Sequence, residues 1–374
     1  MGTNNLERYV GKLMLDRRSA LKSLASVGLG LAAMPLMQTR ADAADEAIVY
    51  TWSGYNDPKL YSDYVAKHGS PTFSFLGDTQ EALNKLRAGY VCDVAHPCSD
   101  DIFRYRGADV IKAFDPARLT HLADFWPKLA KLPGTAEEGK RWFVPFDWGN
   151  SSIIYRTDLV GKDDPNIKDP SWNVIYTDER YKGRVAMYKG AEPAVQIAAS
   201  ILGLPDIWVL SDDELKQCAK VLRKQHELVR FYWSDETTAE QGLASGELVA
   251  AYGWNDGVRR LKKQGLPVAF MNPKEGMRTW VCGLVMYKNP PHEELAYDFV
   301  NAFTSPEAGA HLLDSFGTGH VNRKAFDMVD PKLLDELGIS NPSEMMKRTR
   351  FLQAVPEVQE KKYNELFTTV MAGG

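Results

Sequence analysis

Between Ala47 and Ala95 the chain runs strand, helix, strand, helix, strand, and no other feature limits its possible folds so much. Ala47-Ile48-Val49-Tyr50-Thr51-Trp52 is rich in β-branched and aromatic residues and breaks at Ser53-Gly54. Asp57-Pro58 then supplies a helix cap and a first-turn proline, with Leu60, Tyr61, Tyr64 and Val65 as the apolar stripe behind them. Thr72 to Leu76 reads as a second strand. Asp78 is placed to cap a second helix, with Glu81 as its reciprocal partner, Ala82, Leu83 and Leu86 turned inward, and Gly89 as the stop. A third strand, Val91 to Ala95, leads into the loop His96-Pro97-Cys98-Ser99-Asp100-Asp101. Strands alternating with amphipathic helices predict an α/β fold built on a largely parallel sheet.

The same grammar continues along the chain. Trp142 to Phe146 and Ser151 to Tyr155 read as two strands with Asp147-Trp148-Gly149-Asn150 between them, and Arg184 to Tyr188 as another. Helices are expected at Pro193 to Leu202, Asp212 to Lys224 and Thr238 to Ser245, followed by a strand from Leu248 to Tyr252. Glu293 to Phe303 carries Leu295, Phe299, Ala302 and Phe303 on one face. Ser305-Pro306 restarts a helix that Phe316-Gly317-Thr318-Gly319 ends, and a last helix lies around Glu357 to Met371. No repeat or low-complexity linker interrupts this pattern.

Residues 1–43 have the layout of a cleavable export signal. Asp16-Arg17-Arg18-Ser19-Ala20-Leu21-Lys22 precedes an apolar run from Leu24 through Leu36, and the segment closes on Ala41-Asp42-Ala43. The run is short of the ~20 residues a membrane span needs. The paired arginines resemble the twin-arginine signal, although Ala20 stands where that signal usually has Phe. Over the full sequence, 44% hydrophobic and 25% charged residues mark a chain with cores of its own. A formal charge of −4 offers nucleic acid no positive surface. Cys92, Cys98, Cys218 and Cys282 show no metal-ligand spacing, and sequence leaves open whether they pair or stay free.

Open parallel sheets bind ligands beyond the C-terminal ends of their strands, and here those ends gather aromatic and acidic residues. Trp52, Ser53 and Tyr55 follow the first strand, and Ser99 and Asp100 the third. Asp147 and Trp148 follow the Trp142 strand, Trp233 closes a strand near residue 230, and Trp254 and Asp256 follow the Leu248 strand. Arg278 and Trp280 come next. Aromatic faces with carboxylates at their edges suit an ammonium group. For each tryptophan the competing reading is core packing, and for Asp100 and Asp256 it is a helix N-cap. Arg278 is either a surface residue or the partner of a ligand carboxylate. His96, in a loop without a second histidine at ligand spacing, reads as structural. No GxSxG, HExxH, P-loop or GxGxxG motif is present, so neither catalysis nor a cofactor is expected.

Taken in order, these segments resemble the periplasmic spermidine/putrescine-binding proteins, the solute-binding components of polyamine-type ABC importers. The likeness rests on Tyr50-Thr51-Trp52-Ser53-Gly54-Tyr55, Asp93 to Ser99, Val144-Pro145-Phe146-Asp147-Trp148-Gly149, Trp172, Tyr181-Lys182-Gly183, Ser234-Asp235, Gly246-Glu247, Trp254-Asn255 and Asn272 to Gly276. The resemblance implies a two-lobed clamp of type II with the ligand cleft between its lobes. Lobe 1 is expected at 44–153 plus 284–322 and lobe 2 at 154–283 plus 323–374. It also implies a monomer acting in the periplasm with a cognate permease in the inner membrane, and tryptophans at Trp52, Trp254 and Trp280 sandwiching the solute's methylenes.

The departures bear on the solute. The family places an acid where this chain has Gly54, and others that fall near Gly190 and Pro193, with Glu192 close by. A further expected aspartate falls at Cys282. A buried ammonium without a partner is costly, so these losses disfavour a dication or trication. With Arg278, Asp100, Asp147 and Asp256 retained, the expected ligand has one amine and one carboxylate, as in 4-aminobutyrate. The alternatives are a true putrescine or spermidine binder with rearranged acids and, more distantly, an exported two-lobed enzyme.

Overall fold

The computed structural model describes residues 46–373 except Asp78 and Glu138; the leader at 1–43 and the Asp78 cap lie outside the described residues. Strands β1 (Ile48–Thr51), β2 (Thr72–Phe75) and β3 (Val94–Ala95) form a parallel set with β1 in the middle. The expected third strand is reduced to its last two residues, and Val91 is exposed. Asp57 caps the turn of 3-10 helix Pro58–Tyr61 that opens the first helical segment, as its spacing from Pro58 predicts.

The stretch read as two strands is one. Strand β4 runs unbroken from Val144 to Arg156. Asp147-Trp148-Gly149-Asn150 looks like a turn because it is polar and holds a glycine. Buried backbone must find partners, however, and here it finds them on both flanks. Asp147 and Trp148 pair with His320 and Gly319 on one side, while 147–150 pair with Thr279 to Cys282 on the other.

Strands β5 (Val185–Tyr188), β6 (Val229–Trp233) and β7 (Ala250–Trp254) make a second parallel set, with β5 in the middle. The short β8 (Val268–Phe270) pairs with β4, and β9 (Arg278–Tyr287) runs antiparallel to both β3 and β4. The whole path is β2-β1-β3-β9-β4-β7-β5-β6. The antiparallel pair β4 and β9 therefore joins two parallel sheets.

Each sheet has its own apolar core. The first holds Val49, Tyr50, Ile102, Phe146, Trp148, Leu284 and Phe303; the second holds Ile153, Ile154, Trp172, Ala198, Leu222, Trp233 and Tyr252. Burial of each large side chain contributes about 1.5–3 kcal/mol. Strand β4 feeds both cores, the first through Trp148 and the second from Ile153 onward. Two lobes with a cleft between them follow from this division. Segment 323–346, placed in the second lobe on sequence, sends Ala325, Phe326, Leu334, Leu337, Ile339, Met345 and Met346 into the first core. Phe326 stacks on the Trp148 indole, which draws that segment to the first sheet. Val355, Tyr363, Phe367 and Val370 join the second core, and the last helix spans Glu357–Met371 as its pattern predicts.

Helix Asp212–Leu228 runs four residues beyond the expected Lys224 and begins with a reciprocal cap between Ser211 and Glu214. Helix Ala191–Ile201 starts at Ala191 where Pro193 was expected, and helix Glu236–Ser245 at Glu236 where Thr238 was expected, because prolines and acids suit first turns. The expected strand from Leu248 shifts by two residues to β7, leaving Leu248 buried beneath it. Among the described residues no helix is long and apolar enough to cross a membrane.

Candidate ligand-binding site

A cavity of about 580 Å3 lies between the two cores. Its first-lobe wall is set by the loop after β1. Gly54 adopts a φ of +91°, which turns the chain so that Trp52, Ser53 and Tyr55 all reach the lining. The Tyr55 hydroxyl donates to Asp147 Oδ2 at 2.5 Å, and His96 Nε2 lies 3.3 Å from Asp147 Oδ1. His96 Nδ1 in turn sits 2.9 Å from Thr51 Oγ1. Burial, reinforced by the Asp147 charge, pushes the Tyr55 phenol well above its ordinary value. Thr51 and His96 are fully buried and stand outside the cavity lining.

The floor is the β4–β9 pair. Trp280 lies opposite Gly149 in register, and a Cβ at Gly149 would come 2.2 Å from Trp280 Cζ2. The bare glycine lets the indole lie against the sheet. Two residues along, Cys282 is paired with Cys98, and this disulfide forms part of the wall. Cys92 and Cys218 remain free and buried, and burial raises both thiols, Cys218 to about 12.

The second-lobe wall is helix Asn255–Lys263, which follows β7 directly. Val258 and Leu261 turn into the second core, while Asp256, Arg259, Arg260 and Lys263, at i, i+3, i+4 and i+7, line the cavity. Trp254, the last residue of β7, adds an indole to this wall. Asn255 bridges the lobes by accepting from the Asn150 N–H at 2.8 Å and donating to Gly317 O at 2.5 Å. Arg260 is shared by three acids, with Asp256 at 2.5 Å, Glu240 at 2.6 Å and Glu236 in contact. Glu236 also accepts the Trp254 N–H at 3.1 Å. Burial, together with the neighbouring Asp256 charge, raises Glu236 to about 8, since one guanidinium cannot neutralise three carboxylates.

Three buried donors on this lining, Trp52 Nε1, Arg259 Nε and Thr318 Oγ1, find no protein acceptor among the described residues. Buried donors normally do.

Residues 59–333 match the family described as bacterial extracellular solute-binding proteins. The chain belongs to that family. This solute-binding protein is 24% identical over 341 residues to the putrescine-binding periplasmic protein PotF of Escherichia coli (strain K12), a match that covers 87% of this chain and 91% of that one. Its fold is similar to that of the spermidine/putrescine ABC transporter substrate-binding protein PotD from Streptococcus pneumoniae, with a TM-score of 0.76 at 17% identity over 88% and 99% of the two chains. The Atu4243-GABA receptor is similar too, with a TM-score of 0.67 at 18% identity over 88% and 97%.

Within this solute-binding protein the residues singled out on sequence divide into two groups. Trp52, Ser53, Tyr55, Asp147, Trp254, Asp256 and Trp280 line the cavity together. Ser99, Asp100, Glu192, Trp233 and Arg278 do not. Trp233 is buried among the rings of Tyr188, Tyr252 and Trp254, where it serves as core. Arg278 is buried and donates to Gln196 Oε1 at 2.7 Å and to the Tyr252 hydroxyl at 3.4 Å, with Glu192 at 3.5 Å. Helix Ala191–Ile201 thus captures the guanidinium in the second lobe. Asp100 lies in the turn Ser99–Asp101 beside buried Ser99, and the N-cap position there belongs to Cys98. Burial, then the charges of Asp101 and Glu192, raises Asp100 to about 7. Asp256 is likewise inside its helix and paired with Arg260, since Trp254 holds the N-cap position. Trp148 is core, with its indole N–H donating to His320 O at 3.0 Å.

Sequence reasoning missed Arg259, Arg260 and Lys263, and also Phe316 and Thr318 on the first-lobe side. The helical spacing from Asp256 to Lys263, directly after a strand-end tryptophan, was the available signal for the first three. Phe316-Gly317-Thr318 was readable as a helix stop but carried no sign of facing a cleft.

Proposed function

We propose that this protein captures a small solute bearing one amine and one anionic group, of which 4-aminobutyrate is the type, and hands it to an ABC importer. On this reading it works in the periplasm after loss of its leader. The observation that carries the proposal is the charge inventory of the cavity. Its lining holds two carboxylates, Asp147 and Asp256, and three cations, Arg259, Arg260 and Lys263. Both carboxylates are already engaged, Asp147 by Tyr55 and His96 and Asp256 by Arg260. A diamine would bring two ammonium groups to a lining whose two carboxylates are both engaged and are outnumbered there by three cations, which desolvation makes costly.

A zwitterion suits the same wall. Its ammonium finds the indole faces of Trp52, Trp254 and Trp280 near Asp147, and its carboxylate finds the cationic helix face. Its methylenes, each contributing about 0.8 kcal/mol on burial, lie against the indoles. The likeness to a GABA receptor is consistent with this choice, and the likeness to PotF supports the amine. The polyamine reading keeps one argument, since Asp147 and the five aromatic side chains of the lining would also hold an ammonium. Calorimetric titration of the mature protein with 4-aminobutyrate, putrescine and spermidine separates the two. The expected result is tighter binding of the amino acid. A polyamine that bound about tenfold more tightly, a difference of about 1.4 kcal/mol, would overturn the proposal.

A further inference from the structure

We infer that Arg259 ties recognition of the solute's anionic end to closure of the two lobes. This rests on the reading of the solute as an amine with an anionic group. Arg259 belongs to the second lobe through its helix, whose Val258 and Leu261 are core there. Its side chain nevertheless reaches the first lobe. Nη2 donates to Asp314 Oδ1 at 3.1 Å, and Asp314 sits on helix Pro306–Ser315, which buries Leu312 and Leu313 in the first core. The aliphatic stem lies over Gly317, where an added Cβ would come 3.1 Å from Arg259 Cδ. At Gly317 φ is +76°, so that glycine serves both the turn and the close approach.

The guanidinium has a second side. Nε is buried and has no acceptor among the described residues, although Arg259 lines the cavity. A planar guanidinium offers donors in fixed directions, so one edge is free for a carboxylate while another holds Asp314. Trp52 Nε1 and Thr318 Oγ1, unpartnered on the same lining, give an anionic group further donors from the first lobe.

The other lining cations lack this double reach. The ion-pair partners of Arg260, which are Asp256, Glu236 and Glu240, all lie in the second lobe, and Lys263 is exposed with no ion pair among the described residues. Asp314 is 68% exposed, so the Arg259–Asp314 pair alone is of the weak, solvent-screened kind. It cannot hold the lobes shut unaided. A carboxylate at Nε would fix the guanidinium where Asp314 can meet it, and each contact would then favour the other.

The test compares 4-aminobutyrate with its uncharged amide, 4-aminobutanamide, on the wild-type protein and on Arg259→Gln, Arg259→Lys and Asp314→Asn. Titration calorimetry gives affinity, small-angle X-ray scattering gives closure, and thermal melts confirm that each variant is folded. The wild type is expected to prefer the acid to the amide by about tenfold or more. Arg259→Gln should erase that preference and the acid-dependent compaction, and Arg259→Lys should restore only part of either, having no Nε edge. Asp314→Asn should lower acid affinity by about two- to fivefold and add nothing further in the Arg259→Gln background. An Arg259→Gln protein that kept the preference for the acid, or lost affinity for both probes equally, would overturn the coupling. A wild-type protein that bound putrescine and neither probe would instead defeat the reading of the solute, before any variant was compared.

Discussion

Adding one methyl group at Gly149 tests how the cavity floor is built. In the native register Gly149 faces Trp280 across the β4–β9 pair, and an alanine Cβ would lie 2.2 Å from Cζ2, 2.7 Å from Cε2 and 2.8 Å from Asn255 Oδ1. Ordinary contact begins near 3.4 Å, so the indole must retreat by more than 1 Å. Moving away from the sheet takes it toward the cavity that it lines. The third clash disturbs the amide that joins Asn150 to Asn255 and, through Gly317, the two lobes. Gly149 does not have a positive φ, so alanine meets no backbone strain there. In a strand interior alanine would otherwise be favoured over glycine by roughly 0.5–1 kcal/mol. Overpacking of this kind costs about 1–3 kcal/mol, which corresponds to an affinity loss of about five- to 150-fold if it falls mainly on the solute-bound state. Titration calorimetry of Gly149→Ala against the parent gives that number directly. In a Trp280→Ala background the same substitution should cost less, because the ring it displaces is gone and only the Asn255 contact remains, so the two changes are non-additive. An Gly149→Ala protein with affinity within about twofold of the parent would refute the placement of Trp280 on the floor.

Two further predictions concern stability. Replacing Cys98 and Cys282 together by serine opens a link between residues 184 apart in sequence, and denaturant unfolding should show a loss of about 2–5 kcal/mol. Unchanged unfolding midpoints, or free thiols on alkylation of the unreduced protein, would contradict the pairing. Glu236 is raised from 4.5 to about 8, so between those pH values the folded protein retains a proton that the unfolded chain has released. This group therefore adds stability at acid pH that fades as pH rises through that window. Glu236→Gln should flatten that part of the stability profile and stabilise the protein at its alkaline end. A profile with the parent's slope would show that Glu236 is ionised throughout.

The parts of the site legible in sequence are those that sit at strand ends. Trp52 and Trp254 follow or close parallel strands, and both line the cavity, as the rule for such ends leads one to expect. Asp147 lines the cavity too, although it lies within a long strand and not in the loop its polar neighbours suggest. Beyond Asp256 the cationic helix face was missed, because Arg259, Arg260 and Lys263 read like any solvated helix surface. Only the position of Val258 and Leu261 in the second core turns that surface toward the cavity. The disulfide was beyond reach, since it depends on the loop after β3 meeting β9. Arg278, Glu192 and Asp100, expected at the ligand, lie off the cavity lining. The helix Ala191–Ile201 was expected, but not that its Gln196 would accept from the Arg278 guanidinium and hold it off the cavity lining. The boundary of the lobes was blurred for a similar reason, because the stacking of Phe326 on Trp148 is a contact across 178 residues that no local pattern announces.

The central claim is that the cavity between the lobes takes a solute with both an amine and an anionic group. Native mass spectrometry of protein purified without added ligand, followed by release and fragmentation of whatever it carries, tests this most directly. The account predicts a bound molecule that contains a primary amine and an acid on a short aliphatic chain. Recovery of a polyamine with no acidic group, displaced by putrescine and not by 4-aminobutyrate, would contradict it.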